Sequence, residues 1–234
     1  MQHDDDLRER IVHLDPHLVV VDKPAGMQTV RHDEDAGRSD DVPLDEAVAR
    51  LVSGRTRPAP LFVVHRLDRE TSGLIVFARR GEAARALEHQ LRRRRTHRRY
   101  LALATGNVRS GTFRSFLAED RGDGRRGSTR HARFGKEAVT HVRAIEQFRS
   151  VTLVECRLET GRTHQIRIHL AEAGHPLVGE PRYGRTPSGA RSLAPRLMLH
   201  AVELGFVHPA SEAPMRFAAA LPADFAACLA AAGK

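Results

Sequence analysis

The feature that most constrains this chain is the run SGLIVFA, residues 72–78, which follows directly on the charged stretch HRLDRET at 65–71. A short uncharged run with β-branched and aromatic members reads as a strand buried on both faces, and it is too short for an ordinary helix. LFVVHRLD at 61–68 reads the same way, so two buried strands flank a loop that holds Asp68, Glu70 and Thr71. A carboxylate there, set between Arg66 and Arg69, serves a salt bridge, a metal or chemistry.

The surrounding pattern mixes strands and helices. IVHLDPHLVVV at 11–21 reads as a hairpin about Asp15-Pro16, followed by the turn DKPAG, with residues 1–10 ahead of it as a flexible tail. The polar stretch 31–41 reads as a surface loop. Leu44, Ala47, Val48, Leu51 and Val52 recur at helical spacing, with Asp41 as cap and Gly54 as stop. A second helix carries Ala84, Leu87 and Leu91 on one face, and RRYLALAT follows as a strand. Residues 120–136 have no apolar face and read as a mobile basic loop; AVTHVRAIEQF and VTLVECRL form a hairpin joined at Arg149 and Ser150. A helix capped by Thr163 and stopped by Gly174 buries Ile166, His169, Leu170 and Ala173. RLMLHAVELGFVHP is a strand, and an Ala-rich helix begins near Pro222. No regular βαβ rhythm appears, which predicts one α+β domain over 11–234: a central, largely antiparallel mixed sheet with flanking helices.

The chain carries 38 Lys and Arg against 29 Asp and Glu, a net charge of +9, which favours polyanionic partners and nucleic acid first. The six arginines of RRRRTHRR, residues 92–99, and the Arg-rich loop after residue 120 read together as a track for phosphates. No apolar run is long enough to cross a bilayer, and MQHDDDLRER is no export signal, so a cytoplasmic protein is expected. Cys156 and Cys228 read as small apolar fillers. His164 and His169 point to different sides of their helix and read as packing or hydrogen-bonding residues, not as a metal pair. HRLD lacks the glycine loop and partner motifs of a protein kinase, and no helix-turn-helix or zinc-finger pattern supports a DNA-binding protein.

HRLDRETSGLIVFA, RRYLALATG, TGRTHQIRIHLAEAGHPLVGEPRYG and RLMLHAVELGFVHP, with DKPAGMQTV before and HPASEAPMRFAAALPADF after, resemble in order and spacing the RluA-type family of RNA pseudouridine synthases. The resemblance runs from about residue 11 to 226. It implies the pseudouridine-synthase fold with an RNA-binding cleft, and isomerisation of uridine to pseudouridine in structured RNA, rRNA or tRNA. It implies neither cofactor nor metal. On the family's pattern Asp68 is the nucleophile, Arg167 its charged partner, and Tyr100 the residue that stacks on the uracil and shuttles protons. Arg66 takes the space of the flipped base, Arg162 holds a phosphate, and Leu197 or Leu199 supplies an apolar wall. His65, Thr71, Ser72 and Gly73 shape the loop, with the Thr71 and Ser72 hydroxyls bonding back to the backbone near Asp68.

Two departures stand out. Many members carry an S4-type domain ahead of the catalytic part, whereas here the catalytic motifs begin almost at the N-terminus, as in the short members of the family; recognition is then expected to rest on the catalytic domain itself, in a monomer with no obligatory protein partner. Arg98 stands where many relatives have Lys two residues before the tyrosine, so charge is kept. The stretches 31–41 and 120–136 are less recognisable and are where substrate choice is expected to reside. An RNA-binding or ribosome-assembly protein on the same fold, acting as a chaperone, is the other class these residues allow.

Overall fold

The computed structural model describes residues 2–31, 42–53, 61–120, 126–184 and 194–233. Contacts gather the chain into two compact units, Met1–Thr96 with Glu203–Ala219 and His97–Val202 with Ala220–Lys234.

In the first unit, residues 2–9 are not a flexible tail: they form helix α1 (Gln2–Glu9), with Leu7 buried. Strands β1 (Ile11–Leu14) and β2 (Leu18–Lys23) make the expected hairpin, Ile11 opposite Val21. Its turn closes because the Asp15 carboxylate accepts the backbone N–H of His17 (2.6 Å) and Leu18 (2.9 Å). Helix α2 (Leu44–Ser53) buries Leu44, Ala47 and Val48 as the periodicity requires. Its expected cap Asp41 and stop Gly54, with the loop at 32–41, lie outside the described residues.

The stretch LFVVHRLD departs from expectation. Only Phe62–Val63, strand β3, joins the ladder, opposite Ala78 and Phe77, and Phe62 is exposed. Strand β4 (Ser72–Ala78) is buried at every position and lies antiparallel to β2. Helix α3 (Gly81–Arg92) buries Ala83, Ala84 and Leu87 but leaves Leu91 partly exposed. These side chains pack with Leu18, Val20, Leu74 and Val76, and with Leu204 and Phe206 of β10 (Leu199–Val207). Strand β11 (Pro214–Ala218) pairs antiparallel with β10.

The second unit is built on β5 (His97–Thr105), β6 (Gly111–Ala118), β7 (Gly127–Thr129), β8 (Lys136–Gln147) and β9 (Val151–Leu158), ordered β5-β9-β8-β6-β7 with antiparallel registers. The β8–β9 hairpin is the expected one. Residues 126–136 are more ordered than the composition implied: β7 pairs with β6, and both the backbone N–H and the hydroxyl of Ser128 bond the Glu172 carboxylate. Residues 121–125 lie outside the described residues.

Side chains alternate across this sheet. Leu103, Val151 and Leu153 pack one face against Phe225 and Cys228 of α5 (Ala223–Ala232). The opposite face meets α4 (Gln165–Glu172), where Ile168 packs on Leu117 and Ala138. Cys156 is fully buried, and burial pushes its thiol up to about 12, consistent with a filler. Among the described residues no helix is long and apolar enough to cross a membrane.

Candidate active site

Asp68 is partly buried in the loop between β3 and β4, and the backbone on either side of it is pinned. The buried Leu67 gives its N–H (3.2 Å) to the Thr29 hydroxyl and accepts that hydroxyl's proton at its carbonyl (2.8 Å). The Arg69 carbonyl accepts the Gly26 N–H (2.8 Å) and the Lys23 ammonium (3.1 Å), and Arg69 Nε donates to the Gly26 carbonyl (2.9 Å). Lys23 is completely buried, and its Nζ also donates to the carbonyls of Pro24 (2.8 Å) and Met27 (2.7 Å). A buried ammonium demands such partners. The result sews DKPAGMQT to HRLDRETSG, so the Asp68 side chain leaves from a fixed backbone. At Leu67 the bonds also show why the chain next to Asp68 is not strand: its backbone N–H and carbonyl go to the Thr29 hydroxyl.

Thr71 corrects a second expectation. Its backbone N–H, not its hydroxyl, bonds back to the Asp68 carbonyl (3.1 Å); the hydroxyl is buried with no hydrogen-bond partner. Gly73 adopts φ +111°, a conformation that a side chain would strain. Lys23 and Thr29 were missed as site-builders, because DKPAG carries a turn signal that masks them. The available signal was a lysine closing an otherwise apolar strand.

Tyr100 lies in β5 opposite Cys156 and is 7% exposed. Arg98, two residues earlier on the same face, is equally buried, with an unpartnered Nε and one long bond from Nη2 to the Glu159 carbonyl (3.4 Å). Burial lowers the pKa of its guanidinium; Tyr100 acts to raise it and Arg162 to lower it further. Arg99 points to the other face and pairs with Glu155 at 2.9 Å, while Arg92 pairs with Glu88 at 3.4 Å on α3. RRRRTHRR is therefore not one phosphate track, since strand alternation sends its last two arginines to opposite sides of the sheet.

Helix α4 covers the Tyr100 face. Its N-cap is His164 at φ 58°, not Thr163. Gln165 does the closing instead: its Oε1 accepts the Arg162 N–H (3.1 Å) and the Thr160 hydroxyl (2.7 Å), and its Nε2 donates to the Val139 carbonyl (3.0 Å) and Thr140 (2.9 Å). All of Gln165–Leu170 is buried, where an amphipathic stripe was expected. The histidines are hydrogen-bonding residues as read: His164 meets the Tyr183 hydroxyl at 2.7 Å, and His169 meets Thr140 (2.9 Å) and Ser115 (3.0 Å).

Arg167 is 1% exposed, and its Nε and Nη2 donate to the two oxygens of Glu180, each at 2.8 Å. Glu180 also accepts the backbone N–H of Arg182 (2.9 Å) and Tyr183 (3.2 Å). This bidentate geometry fixes the plane of the guanidinium. The sequence reading missed Glu180, although an arginine buried in a helix requires a nearby acid. Gly179 takes φ +78°, and a β-carbon there would stand 1.9 Å from the Arg196 carbonyl oxygen, so only glycine fits. That contact brings the chain before Leu197 alongside Glu180.

Arg66 is exposed beside Asp68. Arg162 is exposed at the entry to α4, with its Nε on the Glu137 carbonyl (2.9 Å). Leu197 and Leu199 are both buried, at 1% and 4% exposure. Asp68 and Arg66 belong to the first unit; Tyr100, Arg162, Arg167, Leu197 and Leu199 belong to the second.

The sequence profile of the RNA pseudouridylate synthase family matches residues 17–172, which include Asp68, Tyr100 and Arg167. Ribosomal large subunit pseudouridine synthase D of Xanthomonas campestris pv. campestris is 40% identical, over 94% of this chain and 68% of that protein. The protein of that name from Zymomonas mobilis subsp. mobilis is 38% identical, over 94% of this chain and 71% of that one. Among solved structures, human RNA Pseudouridylate Synthase Domain Containing 4 is similar at a TM-score of 0.79 and 25% identity, covering 98% of this chain and 95% of that one. With a profile match over most of its length and relatives of this identity, the chain belongs to the RNA pseudouridylate synthase family, enzymes that isomerise uridine to pseudouridine in RNA.

Proposed function

We propose that the chain converts a uridine of large-subunit ribosomal RNA to pseudouridine with Asp68 as nucleophile, acting in the cytoplasm as a monomer without cofactor or metal. The observation that carries this reading is the pinned loop at Asp68: both neighbouring residues are held by Thr29, Lys23 and Gly26, the preorganisation a nucleophile needs. The names of the relatives favour rRNA over tRNA.

The reaction breaks the bond from N1 to C1′ of the ribose and forms one from C5 to C1′. C5 loses a proton and N1 gains one, so atoms and electrons balance within the nucleotide. Asp68 acts as the carboxylate, by attack on the sugar or by addition to the uracil ring. On the family's pattern Arg167 is the charged partner of that carboxylate, and Glu180 fixes the plane of the Arg167 guanidinium. Tyr100 stacks on the uracil and moves the C5 proton. Arg66 fills the space of the flipped base, Arg162 takes a phosphate, and Leu197 or Leu199 closes the pocket on the uracil.

The test is pseudouridine mapping by carbodiimide-blocked primer extension on rRNA and tRNA from a strain lacking this chain, complemented with wild type or Asp68→Ala. A large-subunit uridine is expected to lose its mark and regain it only with wild type. If every mark survives deletion, or Asp68→Ala restores a lost one, an RNA-chaperone role takes the place of catalysis by Asp68.

A further inference from the structure

In the second unit, one carboxylate serves three arginines. Glu155 on β9 is 2% exposed at its side chain; its Oε1 accepts Arg157 Nε at 3.0 Å, and its Oε2 accepts Arg99 Nη1 and Arg143 Nη2, each at 2.9 Å. Arg99 lies opposite Arg157, and Arg143 lies opposite Glu155, so the three guanidinium groups come from three adjacent strands. Their side chains are 24%, 60% and 58% exposed for Arg99, Arg143 and Arg157.

Alternation fixes which face this is. Tyr100 pairs with Cys156 and Cys156 with Val142, so the Arg cluster occupies the sheet face opposite Tyr100. On that face, among the described residues, helix α5 packs on Leu103, Val151 and Leu153, with Leu101 beside them. In the same unit His141 hydrogen-bonds Glu159 at 2.7 Å, and Arg114 bonds Glu137 at 3.1 Å. At Glu155 three guanidinium groups meet a single carboxylate, and two of them stay more than half exposed.

A single arginine would satisfy a buried glutamate. Two more, mutually repelling and mostly in water, add little to stability. They do create a rigid cationic platform, whose side chains lose less freedom on binding an anion because Glu155 already holds them.

We propose that this face, opposite Tyr100, is a second RNA-contact surface in which Glu155 presents Arg99, Arg143 and Arg157 to backbone phosphates of the same substrate RNA. The proposal rests on the reading that the substrate is RNA. The RNA is then long enough to engage both faces of the sheet, and a short stem-loop holding only the target uridine does not reach the cluster.

The test compares wild type with the double variants Arg143→Ala/Arg157→Ala and Arg143→Lys/Arg157→Lys on a long rRNA transcript and on a short stem-loop, reading affinity against salt and pseudouridine formation. For the Ala pair on the long transcript, the slope of log K against log salt is expected to fall by about 1–2, with affinity down roughly 5- to 50-fold at moderate salt. KM rises and kcat holds. The Lys pair keeps the slope, and the stem-loop behaves as with wild type. An unchanged slope for the Ala pair on the long transcript overturns the proposal, as does equal weakening on both RNAs or by the Lys pair, which reports structural damage. Failure of wild type to form pseudouridine in either RNA refutes the catalytic reading instead, and the salt slopes still decide the surface.

Discussion

Two arginine–carboxylate clusters in the second unit use the same chemistry to opposite ends. Glu180 holds a single arginine, Arg167, the two side chains 0% and 1% exposed, and its oxygens are taken by that guanidinium and by backbone N–H groups. Glu155 is as deeply buried but holds three arginines, two of them more than half exposed. The first arrangement spends charge to fix one orientation; the second displays charge. Stoichiometry and exposure, more than the presence of an ion pair, separate a positioning device from a binding surface.

The sharpest way to break the contrast is Glu180→Gln. It removes the Glu180 charge from the buried Arg167 and is expected to destabilise by about 3–5 kcal/mol, measured by urea unfolding, with activity falling further than stability accounts for. Gly179→Ala comes next, at about 1–3 kcal/mol for the forced φ alone, because its β-carbon meets the Arg196 carbonyl rather than a movable side chain.

Glu155→Gln is expected to cost roughly 1–2 kcal/mol, less than Glu180→Gln, since its arginines can turn to water. It carries a pH signature. Burial pushes the Glu155 carboxyl up, but hydrogen bonds from Arg143 and Arg99, with the charges of Arg143 and Arg157, outweigh this and bring the pKa down to about 2. A depressed carboxyl stabilises the fold above its unfolded value of 4.5 and stops doing so as pH falls through about 2. The stability difference between wild type and Glu155→Gln should therefore hold from neutral pH to about 4.5 and shrink below it. A constant difference would remove the ionic reading of the cluster. Smallest of all, Arg143→Ala alone should change stability by about 0–1 kcal/mol in thermal unfolding.

What the sequence showed and what it hid follow the same physical division. Strand β4 and the β8–β9 hairpin were legible because local periodicity decides them, while the roles given to Asp68, Tyr100 and Arg167 rest on the motifs that hold them. LFVVHRLD was misread because the backbone N–H and carbonyl of Leu67 go to the Thr29 hydroxyl, 38 residues away, which no local pattern records. The α4 cap was misassigned because the side chain of Gln165, already inside the helix, replaces the usual Thr. Glu180 and Glu155 escaped notice because a carboxylate's stoichiometry with arginine exists only in three dimensions.

The most direct measurement is tritium release from a large-subunit rRNA transcript labelled at C5 of uridine, with purified wild type and Asp68→Ala, alongside binding of the same transcript. Wild type should release tritium as C5 gives up its proton, and Asp68→Ala should bind equally and release none. Release by Asp68→Ala at the wild-type rate would contradict the assignment of Asp68 as the nucleophile.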